Sequence, residues 1–154
     1  MLAQKLTALL ERNRVHYKTL KHPVAYTSQG VAAAIPIPGR EVAKTVVLKV
    51  DGKYVLAVLP APSRVDFERF RAIAGAQSVA LAAESEFQEL FRGCELGAEP
   101  PFGDLYGVPT WVDASLALDE SIVFNGGTHS EAVRIAYQDF ERLAHPKIGR
   151  FARA

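Results

Sequence analysis

Leu2, Leu6, Leu9 and Leu10 recur at helical spacing, with Gln4, Lys5, Glu11 and Arg12 mostly on the other side and Asn13 as a stop. The period then changes. Val15, Tyr17 and Thr19 alternate with His16, Lys18 and Leu20, which predicts a strand that His22-Pro23 ends. Thr27 or Ser28 suits the cap of a short helix through Ala34, and the two prolines and the glycine of IPIPGRE then force a shaped loop. The runs TVVLKV and KYVLAVLP flank Asp51-Gly52, a dipeptide that tolerates the positive φ angles of a two-residue hairpin turn. Both runs are apolar at almost every position, so the hairpin is expected centrally in a sheet covered on both faces.

Phe67, Phe70 and Ile73 predict a second amphipathic helix ended near Gly75, SVALA a short strand, and Glu84–Phe91 a third helix. From Gly93 to Pro109 the chain holds four glycines and three prolines in 17 residues, the mark of a long ordered loop. TWVDASL, SIVFNGG and EAVRIAY read as three further strands, and DFERLAHP as a closing helix. The sum is a mixed α/β (α+β) chain, one compact domain over residues 1–154, with a mixed, largely antiparallel central sheet flanked by helices.

Composition narrows the chemistry. With 18 Lys+Arg against 17 Asp+Glu the net charge is +1, so any contact with nucleic acid must be local. No apolar run approaches the ~20 residues of a membrane span, and the single Cys94 excludes an intrachain disulfide, which together point to a cytoplasmic protein away from membranes. His16, His22, His129 and His145 show no metal-ligand spacing, and no phosphate-binding glycine loop or nucleophile motif occurs, so neither metal nor cofactor is expected. Cys94 has no designated base and reads as inert.

Three features stand out, each with an ordinary alternative. Lys44 precedes nearly pure β-formers, so its ammonium either lies desolvated at the mouth of the sheet, where it could hold a carbonyl or oxyanion, or is a solvated strand end. GAEPPFGDLYGVP forms either a rigid lip around a ligand or a tight surface crossing. In FNGGTHSE, Gly126 and Gly127 either let backbone approach a ligand that Thr128 and His129 would contact, or make a plain hairpin turn.

Read in order, HYKTLKHPVAYTSQGVAAAI, AKTVVLKVDGKYVLAVLP, the loop Gly97-Ala98-Glu99-Pro100-Pro101 with Phe102-Gly103, and FNGGTHSEAVRIAYQDFERL resemble the YbaK/prolyl-tRNA synthetase associated domain family, from about Leu6 to Leu143. The resemblance implies that family's fold and an aminoacyl-tRNA deacylase standing apart from any synthetase. Such an enzyme would hydrolyse the ester of mischarged tRNA bearing a small amino acid such as alanine, serine, threonine or cysteine, with the proline tRNA as one candidate. It implies Lys44 as the functional lysine, His129 as a pocket histidine, Gly97 and Pro101 as the ends of a GxxxP loop, and Thr45 at a position bearing on amino-acid choice. His22, Val31, Ile35, Phe102, Gly127 and Thr128 complete the expected substrate-binding set.

On these positions Lys44 would anchor the carbonyl or a neighbouring phosphate or ribose, amides of the GxxxP loop would bind the oxyanion, and selection would be by size. The expected partner is the acceptor end of aminoacyl-tRNA, with a synthetase as a second. Lys18, Lys21, Arg40, Lys49, Arg134 and the tail HPKIGRFARA supply positive charge, either gathered on one rim or spread evenly. The alternatives are a non-catalytic module of the same fold that binds tRNA or an aminoacyl-adenylate, and a hydrolase of free amino-acid esters.

Overall fold

The strongest local signal in the sequence becomes the centre of the fold. The computed structural model describes residues 2–23 and 38–154. In chain order its elements are α1 (Gln4–Arg12), β1 (Lys18–Lys21), β2 (Ala43–Val50), β3 (Lys53–Pro60), β4 (Arg64–Val65), α2 (Phe67–Ala74), β5 (Val79–Leu81), α3 (Glu84–Phe87), β6 (Thr110–Asp113), β7 (Ser121–Thr128), β8 (Glu131–Ala136), α4 (Tyr137–Ala144), β9 (Lys147–Gly149) and β10 (Ala152–Arg153). Asp51 (φ 49°) and Gly52 (φ 82°) both take left-handed backbone, the requirement of a two-residue turn whose twist matches its strands. The Asp51 carboxylate also accepts from the backbone N–H groups of Gln77 and Ser78, each at 2.9 Å, which ties the turn to the start of β5.

The five-stranded sheet runs β5-β2-β3-β6-β9. β2 is antiparallel to both its neighbours, whereas β6 is parallel to β3 and to β9. All six residues from Val55 to Pro60 are buried, because both faces of β3 are covered. On one side Leu48, Val55, Ala57 and Leu59 pack with Phe70 of α2 and with Phe151, whose ring meets Phe70 edge-on at 5.1 Å. On the other, Val58 joins Leu6 and Leu10 of α1, Phe102, Phe124 of β7 and Phe140 of α4 in the main core. A three-stranded antiparallel sheet, β1-β8-β7, meets the first through a parallel bridge between Val42 and Val123, and β4 and β10 form a short ribbon. Among the described residues no helix is long and apolar enough to cross a membrane.

Three elements depart from the sequence reading. Val15 does not open the first strand: it is buried in the main core and donates to Leu10 O at 3.0 Å, closing α1, so the strand starts at Lys18. The third helix keeps only Glu84–Phe87, since Leu90 and Cys94 donate instead to Phe87 O and Phe91 O in successive three-residue turns. The tail is structural. Its Phe151 and Ala152 N–H groups both donate to Asp113 Oδ1 at 2.8 Å, and Phe151 is fully buried. The predicted helix after Thr27 lies outside the described residues.

Desolvation works to raise the Asp113 pKa, but hydrogen bonds from Ser115, Ala152 and Phe151 prevail and hold it below the usual carboxylate range. A depressed folded-state pKa stabilises above the unfolded value of about 3.9, and that contribution fades as pH falls through the lower folded value. Asp113→Asn should therefore cost about 2–3 kcal/mol at pH 7, with the gap to the native protein narrowing below about pH 4. Urea melts across pH 2–7 measure this, and equal stability at pH 7 would contradict the role.

Candidate functional site

Lys44 is the second residue of β2, paired with Leu59 of β3. Strand alternation puts it on the face of Val46 and Leu48, which is the face of α2, while Thr45 points the other way in register with Val58. The side chain is half-buried, and burial followed by the nearby Arg64 guanidinium pushes its pKa below the ordinary lysine value. Among the described residues no carboxylate or carbonyl accepts from its ammonium. A partly desolvated cation without a counter-ion is suited to an incoming anion or a polarised carbonyl.

A second cluster joins the GxxxP loop to the end of β7. Glu95 N donates to Gly127 O at 2.8 Å and Gly127 N to Ala98 O at 2.9 Å, so the loop runs as an extra partner beside the strand. The Glu95 carboxylate accepts from His129 N at 2.7 Å. His129 Nε2 lies 2.6 Å from Leu96 O, and because a carbonyl only accepts, Nε2 carries the proton. Gly97 (φ 85°) sits over the imidazole: a Cβ there would stand 3.4 Å from His129 Cε1. Glu99, only 3% exposed, accepts from Gly97 N at 3.0 Å. Burial pushes its carboxyl above the usual range, against the pull of its own N–H, the Gly97 N–H and His129.

The expected residues thus divide into groups. Gly97, Gly127 and His129 come together, with Thr128 half-buried between the last two and Pro101 buried at the loop's end. His22 joins them through the neighbouring strand, donating from its backbone to Ser130 O at 3.0 Å and from Nδ1 to Pro23 O at 2.7 Å. It lines an open cleft of about 540 Å³ with Lys21, Ser130 and Glu131. Lys44 lies on the α2 face of the sheet, and Thr45 points to the opposite face. Val31 and Ile35 lie outside the described residues.

Several readings need correction. Phe102 is 1% exposed and wedged edge-on between Phe124 and Phe140, so it fills the core rather than facing a ligand. Gly126 and Gly127 make no turn: they lie inside β7 at an irregularity between Asn125 and Thr128, and the chain reverses at His129-Ser130. Their bareness admits the N-terminal segment instead of a ligand, since a Cβ on Gly127 would come 2.8 Å from Ala3 Cβ, and one on Gly126 still closer to Leu2. The loop amides expected at an oxyanion are engaged, Gly97 N by Glu99 and Ala98 N by Glu95 O. Among the basic residues, Lys49 pairs with Glu86 at 3.1 Å and Arg40 with Asp119 at 3.6 Å, so neither is a free cation.

Glu95, Glu99 and Arg64 were not singled out from sequence. Glu99 carried a faint signal, a carboxylate among Ala98, Pro100 and Pro101 in a stiff loop. The partners of Glu95 and the residues near Arg64 are distant in sequence and left none. Cys94 lies 3.1 Å from Tyr106 Oη, and burial above all raises its thiol pKa, which suits an inert role.

A family model described as an aminoacyl-tRNA editing domain matches residues 22–143. The multifunctional Ser/Thr-tRNA deacylase ProXp-y of Escherichia coli (strain K12) is 30% identical over 156 aligned residues, covering 97% of this chain and 92% of that protein. A crystal structure of a proposed trans-editing enzyme for prolyl tRNA synthetase superposes with a TM-score of 0.84 at 21% identity, over 99% of this chain and 97% of that one. Another, of the hypothetical protein APE2540, gives 0.86 at 19% identity over 97% and 100%.

The loop cluster makes opposite predictions for two neighbours. Gly97→Ala forces a side chain onto left-handed backbone against His129 and should cost about 1–2 kcal/mol. Glu99→Gln keeps the acceptor for Gly97 N while removing a buried charge, so its thermal midpoint at pH 7 should equal or exceed the native one. A large loss in Glu99→Gln on thermal denaturation would contradict the assigned burial cost.

Proposed function

The chain belongs to the aminoacyl-tRNA editing domain family, and on that premise we propose that it is a deacylase hydrolysing the ester of mischarged tRNA, with serine and threonine as the amino acids it releases. The observation that carries the mechanism is Lys44, a half-buried ammonium without a described acceptor at the start of β2. The ester is already activated relative to an amide, so the protein has only to hold its carbonyl, admit a water and stabilise the oxyanion. Since the Gly97 and Ala98 amides are occupied within their own loop, the developing negative charge falls to Lys44. The free ribose hydroxyl beside the ester assists the attacking water.

Specificity comes from the walls. A tight pocket separates side chains differing by one methylene by only ~1–3 kcal/mol, so such an enzyme works as a second sieve, accepting small residues and excluding larger ones. His129, fixed through Leu96 O and Glu95 and pressed against Gly97, is a rigid wall of this kind. Its partners in this reading are charged tRNA in the cytoplasm and the synthetase that releases it.

The test is release of labelled amino acid from tRNA mischarged with alanine, serine, threonine or cysteine. The native protein should release serine and threonine, and Lys44→Ala should be slower by about 10²-fold or more. Because the ammonium must be charged and its pKa is lowered, activity above the spontaneous rate should be full at neutral pH and decline as pH rises through a value below 10.5. Near-native release by Lys44→Ala would sink the assignment, and tight tRNA binding without release would favour a non-catalytic module.

A further inference from the structure

Arg64, the charge that acts on Lys44, does not stand alone. Pro60 ends β3 and Ser63 N turns back onto Pro60 O at 3.0 Å, so the chain reaches Arg64 immediately beyond the strand that carries Leu59, the partner of Lys44. In the β4–β10 ribbon Arg64 lies directly opposite Arg153, and Val65 opposite Ala152. Val65 faces the core with Phe70 and Phe151, so alternation turns both arginines outward on the same side, and both are exposed. Like charges directly opposite in an antiparallel pair repel.

Nothing among the described residues neutralises them. Neither arginine has an ion-pair partner there, and the nearest carboxylate in sequence, Asp66, caps α2 by accepting from Arg69 N at 3.1 Å and pairs with the Arg69 guanidinium at 3.6 Å. The ribbon is also rigid. Asp113 holds the N–H groups of Phe151 and Ala152, and the Phe151 ring is locked on Phe70, so the repulsion is not relieved by the strand peeling away. On a chain of net charge +1, two facing arginines without an ion-pair partner among the described residues, one of them close enough to Lys44 to act on its charge, are a local concentration of charge suited to closely spaced anions.

We propose that Arg64 and Arg153 form a phosphate track that grips the sugar-phosphate backbone at the 3′ end of tRNA and leads the ester to Lys44. This rests on the reading of Lys44 as the group that meets the ester. A phosphodiester strand supplies one negative charge per nucleotide, the spacing of ligand that a row of exposed guanidinium groups matches. Base identity plays no part in this grip, so it acts on every tRNA alike.

The experiment compares native protein with Arg64→Gln/Arg153→Gln, and with Arg71→Gln/Arg92→Gln, a control that removes the same charge from arginines already paired with Glu68 and Glu89. With seryl-tRNA the track variant should show KM raised about tenfold with kcat kept, and a log–log salt slope shallower by about 1.4, at ~0.7 per lost single-strand contact. The control should match native protein. Hydrolysis of 3′-O-seryl-adenosine, which has no phosphate, should be the same in all three. An unchanged KM and salt slope in the track variant, or an equal change in the control, would overturn the track. If native protein cleaves no charged tRNA, the deacylase reading fails separately. Filter binding of uncharged tRNA then decides the track, which stands if only Arg64→Gln/Arg153→Gln weakens binding and falls if it does not.

Discussion

A slip of one residue in the β2–β3 ladder would carry Lys44 through the sheet. Side chains alternate with a period of two, so the face on which that ammonium emerges is decided by the register of the hairpin and by nothing nearer to it. The register is fixed at the far end, where Asp51 and Gly52 accept left-handed backbone and the Asp51 carboxylate binds the N–H groups of Gln77 and Ser78. Eight paired positions then transmit that choice from Val50↔Lys53 to Ala43↔Pro60. Lys44 thereby emerges on the face with Arg64, and Thr45 on the face of the main core.

The second constraint is the backbone zipper between the loop and β7. The exchange between Glu95, Ala98 and Gly127 leaves the loop no freedom to move away from His129. Within the loop the Glu99 carboxylate and Glu95 O take the Gly97 and Ala98 amides that a loop of this shape would otherwise offer to a ligand, which in the proposed mechanism leaves the electrostatic work to the lysine. Gly127 serves this zipper and, on its other side, the close approach of Ala3.

Elements whose information is local were legible in the sequence. The Asp51-Gly52 turn, the leucine spacing of α1 and the Gly75 stop of α2, where φ is 63°, all appear where their residues place them. What was not legible depends on partners far along the chain. Arg153 reads as part of a basic tail until Asp113, 39 residues before Ala152, is seen to hold that tail as a strand. Phe102 looks like a pocket wall beside the GxxxP loop until Phe124 and Phe140 close on it. Gly126-Gly127 has the form of a turn, and only the N-terminal segment packed against it shows why the glycines are needed inside a strand. Family resemblance supplied Lys44 and His129, but the face of Lys44 came from register and the setting of His129 from Glu95 and Leu96.

The most direct measurement is a lysine-labelled NMR spectrum recorded with a non-hydrolysable amide analogue of seryl-adenosine. The account predicts that the Lys44 side-chain resonance moves, saturates with the analogue and is the largest change among the lysines. Binding of the analogue with the Lys44 resonance unmoved would contradict the account.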